Sequence, residues 1–167
     1  YLQTDIDNIY AIGDVTGKSM LAHVASHQGI IAVENALGKR QEMDYKVIPN
    51  CVYTAPEVAS VGMTEQEARA MYKDKLNLGR FPYAASGKAM TMGERNGFVK
   101  IITESKYNEI LGVHIIGPNA TELIAEAALA MKLECTAEEL TNTIHAHPTL
   151  SETVMEAAFD LLGKPIH

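Results

Sequence analysis

The chain has 167 residues, 47% of them hydrophobic, with 14 Lys+Arg against 21 Asp+Glu and a formal net charge of −7. That much apolar side chain supports a packed core and argues against wholesale disorder. The acidic balance argues against nucleic acid as a partner, because phosphate binding wants a basic patch. No apolar run approaches membrane-spanning length, so no membrane partner is expected, and the N-terminus carries no signal-peptide pattern. Cys51 and Cys135 form neither Cys-x-x-Cys nor a zinc spacing; they read as two reduced, partly buried thiols of a cytosolic protein, and no metal site is expected. The chain opens at Tyr1 rather than methionine and runs straight into an apolar, glycine-bearing segment, which is the pattern of a piece of a longer polypeptide or of a processed one.

In chain order, residues 1–40 read as strand, turn and helix. Ile9-Tyr10-Ala11-Ile12 suits a fully buried strand that Gly13-Asp14 ends. Met20 to Leu37 carries apolar residues at helical spacing, and Gly38 is a C-terminal stop. Such a unit cannot bury both faces of its strand alone, so it reads as the last part of an α/β domain. Residues 41–47 are a linker, and the polar character runs on to Pro49. Cys51–Thr54 and Glu57–Gly62 then read as short strands around Pro56. Thr64 and Glu67 form a capping box for a helix to about Tyr72. Lys75 to Tyr83 alternates as a strand. Gly97–Thr103 and Glu109–Gly117 form a hairpin with its turn at Ser105–Asn108. Asn119 caps a long helix with Leu123, Ile124, Ala127 and Met131 as its apolar stripe. Thr136 and Glu139 form another capping box. A last helix from about Ser151 to Leu162 buries Val154, Met155, Ala158, Phe159 and Leu162, and Gly163 and Pro165 follow it. Strands followed by helices, with hairpin-length connections, indicate an α+β fold with a mostly antiparallel sheet and helices on one side.

Two stretches carry chemistry. His145-Ala146-His147-Pro148-Thr149-Leu150-Ser151-Glu152 puts an imidazole and a carboxylate five positions apart across a proline. Pro148 has a fixed φ and disfavours helix at His147, which places the imidazole on a stiff turn. Glu152 could reach one ring nitrogen, setting the tautomer and raising the basicity of the other. The same residues fit a capping box with Thr149 as N-cap and Glu152 at the third helical position, which would leave His147 an ordinary turn residue. In the other stretch, Thr4 to Asp14, a buried strand delivers Asp14 to its C-terminal end, where open α/β sheets bind ligands. Gly13 allows close backbone approach. A carboxylate there can accept hydrogen bonds from sugar-like hydroxyls, and the helix beginning near Met20 aims free N–H groups at whatever binds. A plain strand-end turn is the alternative.

Taken together and in order, these motifs resemble the two-dinucleotide-fold flavoprotein disulfide reductases. Thr4…Tyr10-Ala11-Ile12-Gly13-Asp14 looks like their second FAD motif, and Met20-Leu21-Ala22-His23 like the flavin-facing helix start. Tyr53-Thr54-Ala55-Pro56-Glu57-Val58-Ala59-Ser60-Val61-Gly62 looks like the opening of their interface domain. The His145–Glu152 stretch looks like their active-site base and its partner. Within that family the wording of the motifs is most similar to the dihydrolipoamide dehydrogenase branch. The resemblance implies residues 1–40 as the C-terminal segment of an FAD-binding domain and 48–167 as a dimerisation domain. It implies Asp14, with Gly13, on the ribityl chain of FAD, and the backbone of Leu21 and Ala22 against the flavin ring. It implies His147 as the base for a dihydrolipoamide thiol and Glu152 as the group that holds its ring. The implied parent uses FAD and NAD, is a homodimer through residues 48–167, and serves a lipoyl-bearing subunit of a 2-oxoacid dehydrogenase or glycine cleavage complex. Its location would be cytoplasmic, or the mitochondrial matrix in a eukaryote.

The departures matter equally. These residues contain no Gly-x-Gly-x-x-Gly unit, no Cys-x4-Cys redox pair and no NAD-binding domain. The isolated chain is therefore expected to be inert and to retain neither cofactor. A glutathione reductase type of parent, or a stand-alone dimerisation module, fits the same residues. His145 and His23 read as supporting neighbours, and His27, His114 and His167 as surface or packing residues.

Overall fold

The computed structural model describes residues 1–166; His167, expected at the surface or in packing, lies outside the described residues. The chain divides into two compact units, one over residues 1–46 and the other beginning at Val47. No helix among the described residues is long and apolar enough to cross a membrane.

In the first unit the expected strand at Ile9–Ile12 does not form. Gln3 and Tyr10 make one isolated antiparallel bridge, and a 3-10 turn occupies Gly13–Thr16. Ile9 and Ile12 are 49% and 44% exposed. A strand exists only where neighbours take its N–H and C=O groups, and here one bridge supplies that pairing. Helix α1 spans Ala22–Ala36. It starts two residues later than the apolar pattern from Met20, and Leu37 and Gly38 end it, with Gly38 at φ +94°. Its buried side is Val24, Gln28, Ile31 and Ala32.

The second unit is an antiparallel sheet of β1 (Asn50–Val52), β2 (Val58–Gly62), β3 (Leu76–Pro82), β4 (Phe98–Glu104) and β5 (Ile110–Ile116), in the order β1-β2-β5-β4-β3. The β4–β5 hairpin aligns Ile101 with Val113 and carries a register shift between Ile102 and Thr103. One face of the sheet presents Ala59, Val61, Val99, Ile101, Val113 and Ile115, all at most 1% exposed. Helices α4 (Ala120–Lys132), α5 (Ala137–Asn142) and α6 (Glu152–Leu161) contribute to the same core. Alanines 127, 130, 157 and 158 line the helix side of this core and keep the layers close. Helix α2 (Glu65–Tyr72) contributes Ala68 to a smaller cluster with Ile102 and Leu111.

The seat of α6 decides the site. Gly79 of β3 lies under it: a Cβ there would stand 2.0 Å from the Ala157 carbonyl oxygen, so only glycine permits this approach. Asp160 near the end of α6 accepts the Arg80 N–H at 2.8 Å. Thr153, Val154, Glu156, Ala157 and Ala158 are buried, whereas Met155, Phe159 and Leu162 are only half-buried. The inward face is thus rotated from the one expected, because small residues fit against β3 and β4 where the larger ones do not.

The capping boxes at Thr64–Glu67 and Thr136–Glu139 both form. Asn119 sits at the cap position of α4 in a left-handed conformation, but its side chain makes no cap bond. Glu57, the residue before β2, performs that task, accepting the Thr121 N–H at 2.9 Å and its hydroxyl at 2.8 Å. The short helix α3 (Gly87–Met92), capped by Ser86 and stopped by Gly93, has no counterpart in the sequence reading.

Candidate active site

The loop from Thr143 to Ser151 joins α5 to α6 and carries both histidines of the motif. Its anchors are Leu140 and Leu150, 4% and 5% exposed. The His147–Pro148 peptide is cis. His147 Nδ1 lies 2.9 Å from Glu152 Oε1, and the Thr149 N–H donates to Glu152 Oε2 at 2.8 Å. One carboxylate therefore orients the imidazole with one oxygen and closes the turn with the other. The contact to the imidazole and the contact that closes the turn coexist on Glu152, and only part of the capping box forms. Ser151, not Thr149, is the N-cap, and Glu152 is the first helical residue. The Thr149 hydroxyl donates to the Ala146 carbonyl at 2.6 Å instead. Bonds from Thr153 N–H to Leu150 and from Val154 N–H to Ser151 tighten the entry and shift the helix start.

The electrostatics follow from that placement. A carboxylate in the first turn of a helix is stabilised by the helix dipole. An ionised carboxylate only accepts, so Nδ1 of His147 carries a proton, and the neutral ring in that tautomer has its lone pair on Nε2. The His147 side chain is 78% exposed and that of Glu152 23%. The arrangement is an oriented imidazole whose Nε2 edge is open to an approaching group. His145 is enclosed: its side chain is 5% exposed, Nε2 lies 2.6 Å from Glu126 Oε1, and Nδ1 lies 2.9 Å from the Thr143 carbonyl. The pairing with Glu126, nineteen residues away on α4, left no signal in the sequence.

In the first unit, Gly13 is buried at φ +74° and its N–H donates to Gln28 Oε1 at 2.6 Å. The Gln28 amide also donates to the Tyr45 hydroxyl at 2.9 Å. Gln28 is fully buried and pins the turn that exposes Asp14; sequence reasoning passed over it. Leu21 is the extended N-cap of α1 and Ala22 its first helical residue, and no side chain caps that end. A helix N-terminus with no side-chain cap, and an exposed carboxylate on a fixed turn, are groups that suit a ligand with hydroxyls and a partly negative edge. His114 Nε2 meets the Met63 carbonyl at 2.9 Å, a packing role, and His27 is exposed. Cys51 and Cys135 are free, and burial, with Glu57 and Glu122 nearby, pushes the Cys51 thiol up. No cluster of three or more His, Cys, Asp or Glu among the described residues could hold a metal ion.

Residues 48–158 match the dimerisation domain of the pyridine nucleotide-disulphide oxidoreductases. Over 166 residues the chain is 52% identical to a dihydrolipoyl dehydrogenase of Bacillus subtilis, covering 99% of this chain and 35% of that protein. It is 48% identical to the dihydrolipoyl dehydrogenase of Chlamydia trachomatis, covering 99% and 36%. Among solved structures, LpdA from Mycobacterium tuberculosis superposes with a TM-score of 0.87 at 34% identity, covering 94% of this chain and 34% of that one. The HOCl-induced flavoprotein disulfide reductase RclA from Escherichia coli superposes with a TM-score of 0.87 at 30% identity, covering 94% and 36%. The chain spans about a third of the length of these relatives.

Proposed function

The chain belongs to the pyridine nucleotide-disulphide oxidoreductases, and from that membership we propose that it is part of a dihydrolipoamide dehydrogenase to which it supplies the base and the dimer interface. The observation that carries this reading is the His147–Glu152 pair at 2.9 Å, with Nε2 left as a base on an exposed ring. In the parent, Nε2 takes a proton from one thiol of dihydrolipoamide. The thiolate attacks a disulfide held outside these residues, forming a mixed disulfide and releasing a second thiolate. The other substrate thiol resolves that bond, so lipoamide leaves oxidised and the disulfide leaves reduced. Throughout, Glu152 holds Nδ1–H and stabilises the imidazolium that forms at Nε2.

Residues 1–40 are assigned to the C-terminal segment of the FAD-binding domain, 41–47 to a linker and 48–167 to the dimerisation domain. Asp14 would accept hydrogen bonds from ribityl hydroxyls, Gly13 would admit the backbone closely, and the N–H groups after Leu21 and Ala22 would face the ring. Bound FAD supplies the two-electron relay from the dithiol to NAD. The isolated chain, lacking the redox pair, is assigned no activity and no retained cofactor. The parent is read as cytoplasmic, serving a lipoyl-bearing subunit as a homodimer. Leu129, Leu133 and Ile144, 62%, 66% and 96% exposed, support a dimer face on α4, its C-terminal end and the base loop.

The test is His147→Gln in the full-length protein. Loss of dithiol oxidation by about 100-fold or more is expected for a lost general base, with NADH oxidation by a quinone unchanged. Retained dithiol oxidation would reject the reading. The likeness to RclA favours a second one, another disulfide reductase of the glutathione reductase type, in which the same variant loses its activity with a different disulfide substrate.

A further inference from the structure

His145 is a buried polar side chain to which the proposed chemistry gives no task. No residue between the anchors Leu140 and Leu150 is buried as a whole, yet the His145 side chain is 5% exposed. Both of its nitrogens meet acceptors. A carbonyl only accepts, so Nδ1 donates to Thr143; the 2.6 Å contact from Nε2 to Glu126 then needs a shared proton, which makes it a charge-assisted bond. Around it the loop is thinly held. Thr143 is tied by its hydroxyl to the Glu139 carbonyl, Ala146 accepts from Thr149, and Ile144 is 96% exposed.

We propose that His145 and Glu126 are positioning residues for His147: the imidazole–carboxylate bond staples the middle of the base loop to helix α4 and fixes where the base stands. The inference rests on the reading of His147 as the base. An apolar pair would fill the same space without the desolvation cost of an ion pair, so the polar pair contributes direction rather than stability. Direction is what a proton transfer needs, since misplacement of about 1 Å costs roughly 100-fold in rate. Because the staple ends on α4, the helix that carries the exposed Leu129 and is followed by the exposed Leu133, the base is set by the element assigned to the dimer face.

The experiment compares His145→Phe, His145→Gln, Glu126→Gln and His147→Gln in the full-length flavoprotein. Each is assayed for dihydrolipoamide oxidation with NAD and for NADH oxidation by a quinone, which removes no thiol proton. His145→Phe keeps a ring in place but no bond, and is expected to lower kcat for the dithiol by about 10- to 100-fold with the quinone rate unchanged. His145→Gln, whose amide can still donate to Glu126, is expected to recover part of that loss. Glu126→Gln added to His145→Phe is expected to cost nothing further. If His147→Gln is impaired while His145→Phe keeps dithiol turnover within about twofold, the inference is overturned. An equal fall in both activities marks damage to the fold and also overturns it. If His147→Gln itself keeps dithiol turnover, the reading of the base fails first.

Discussion

Replacing Glu152 with glutamine separates the two tasks of one carboxylate. Oε1 receives the imidazole at 2.9 Å and Oε2 receives the Thr149 N–H at 2.8 Å. Glutamine has one acceptor oxygen and one donor group, so it can serve only one of them. If its oxygen stays on the Thr149 N–H, its NH2 faces Nδ1 and draws the lone pair there; the proton moves to Nε2 and the base is lost. If its oxygen faces His147, two donors meet at Thr149 and the turn loses a bond worth about 1 kcal/mol. The first arrangement keeps the helix entry intact and is expected to dominate. Loss of the charge-assisted bond, about 1.5–3 kcal/mol, corresponds to a fall of roughly 10- to 150-fold in kcat for dihydrolipoamide, and the inverted tautomer adds to it. In the full-length protein, for which the base reading is proposed, steady-state oxidation with NAD, run beside quinone reduction and a urea melt of the same preparation, separates these effects. A Glu152→Gln protein that keeps a third or more of its dithiol activity at unchanged stability would refute the argument.

Gly79→Ala is expected to destabilise the second unit by about 3 kcal/mol in urea denaturation, because the added Cβ meets backbone on α6 that has no rotamer with which to yield. Tyr83 is fully buried, and burial pushes its phenol up to about 12. The folded state thus favours the neutral phenol, so this stability is complete below pH 10 and is lost as pH rises toward 12, by at most about 3 kcal/mol; Tyr83→Phe should flatten that limb of the pH–stability curve. For the proposed dimer face, Leu129→Lys combined with Ile144→Lys should leave monomer in sedimentation of the full-length protein, and an unchanged dimer would move the interface elsewhere.

What the sequence disclosed was local. Thr64–Glu67 and Thr136–Glu139 are legible because a capping box is contained in four residues. The β4–β5 hairpin is legible because alternation and a polar turn lie side by side. Thr149 misled because its hydroxyl had a nearer acceptor in Ala146, and Asn119 because Glu57, just ahead of β2, caps α4 in its place. Ile9–Ile12 has the composition of a buried strand, but composition names a preference and pairing partners decide the outcome. Helix α3 is six residues long, too short to show a period. The spacing of His147 and Glu152 was visible because the pair closes over one turn. Gln28 on Gly13 and Glu126 on His145 are contacts between distant segments, and a single sequence does not carry them.

The bond from Arg80 to Asp160 has a consequence for solubility. Strand β3 is the long edge of the sheet, seven residues with a proline at its end, while β1 at the other edge is only three. An unguarded edge recruits strands from other molecules and seeds aggregates. Here an approaching strand that offers a carbonyl to the Arg80 N–H finds the donor already occupied and a carboxylate in its path. The residue that helps seat α6 thereby also stops the sheet from growing, and the short β1 offers little template at the opposite side.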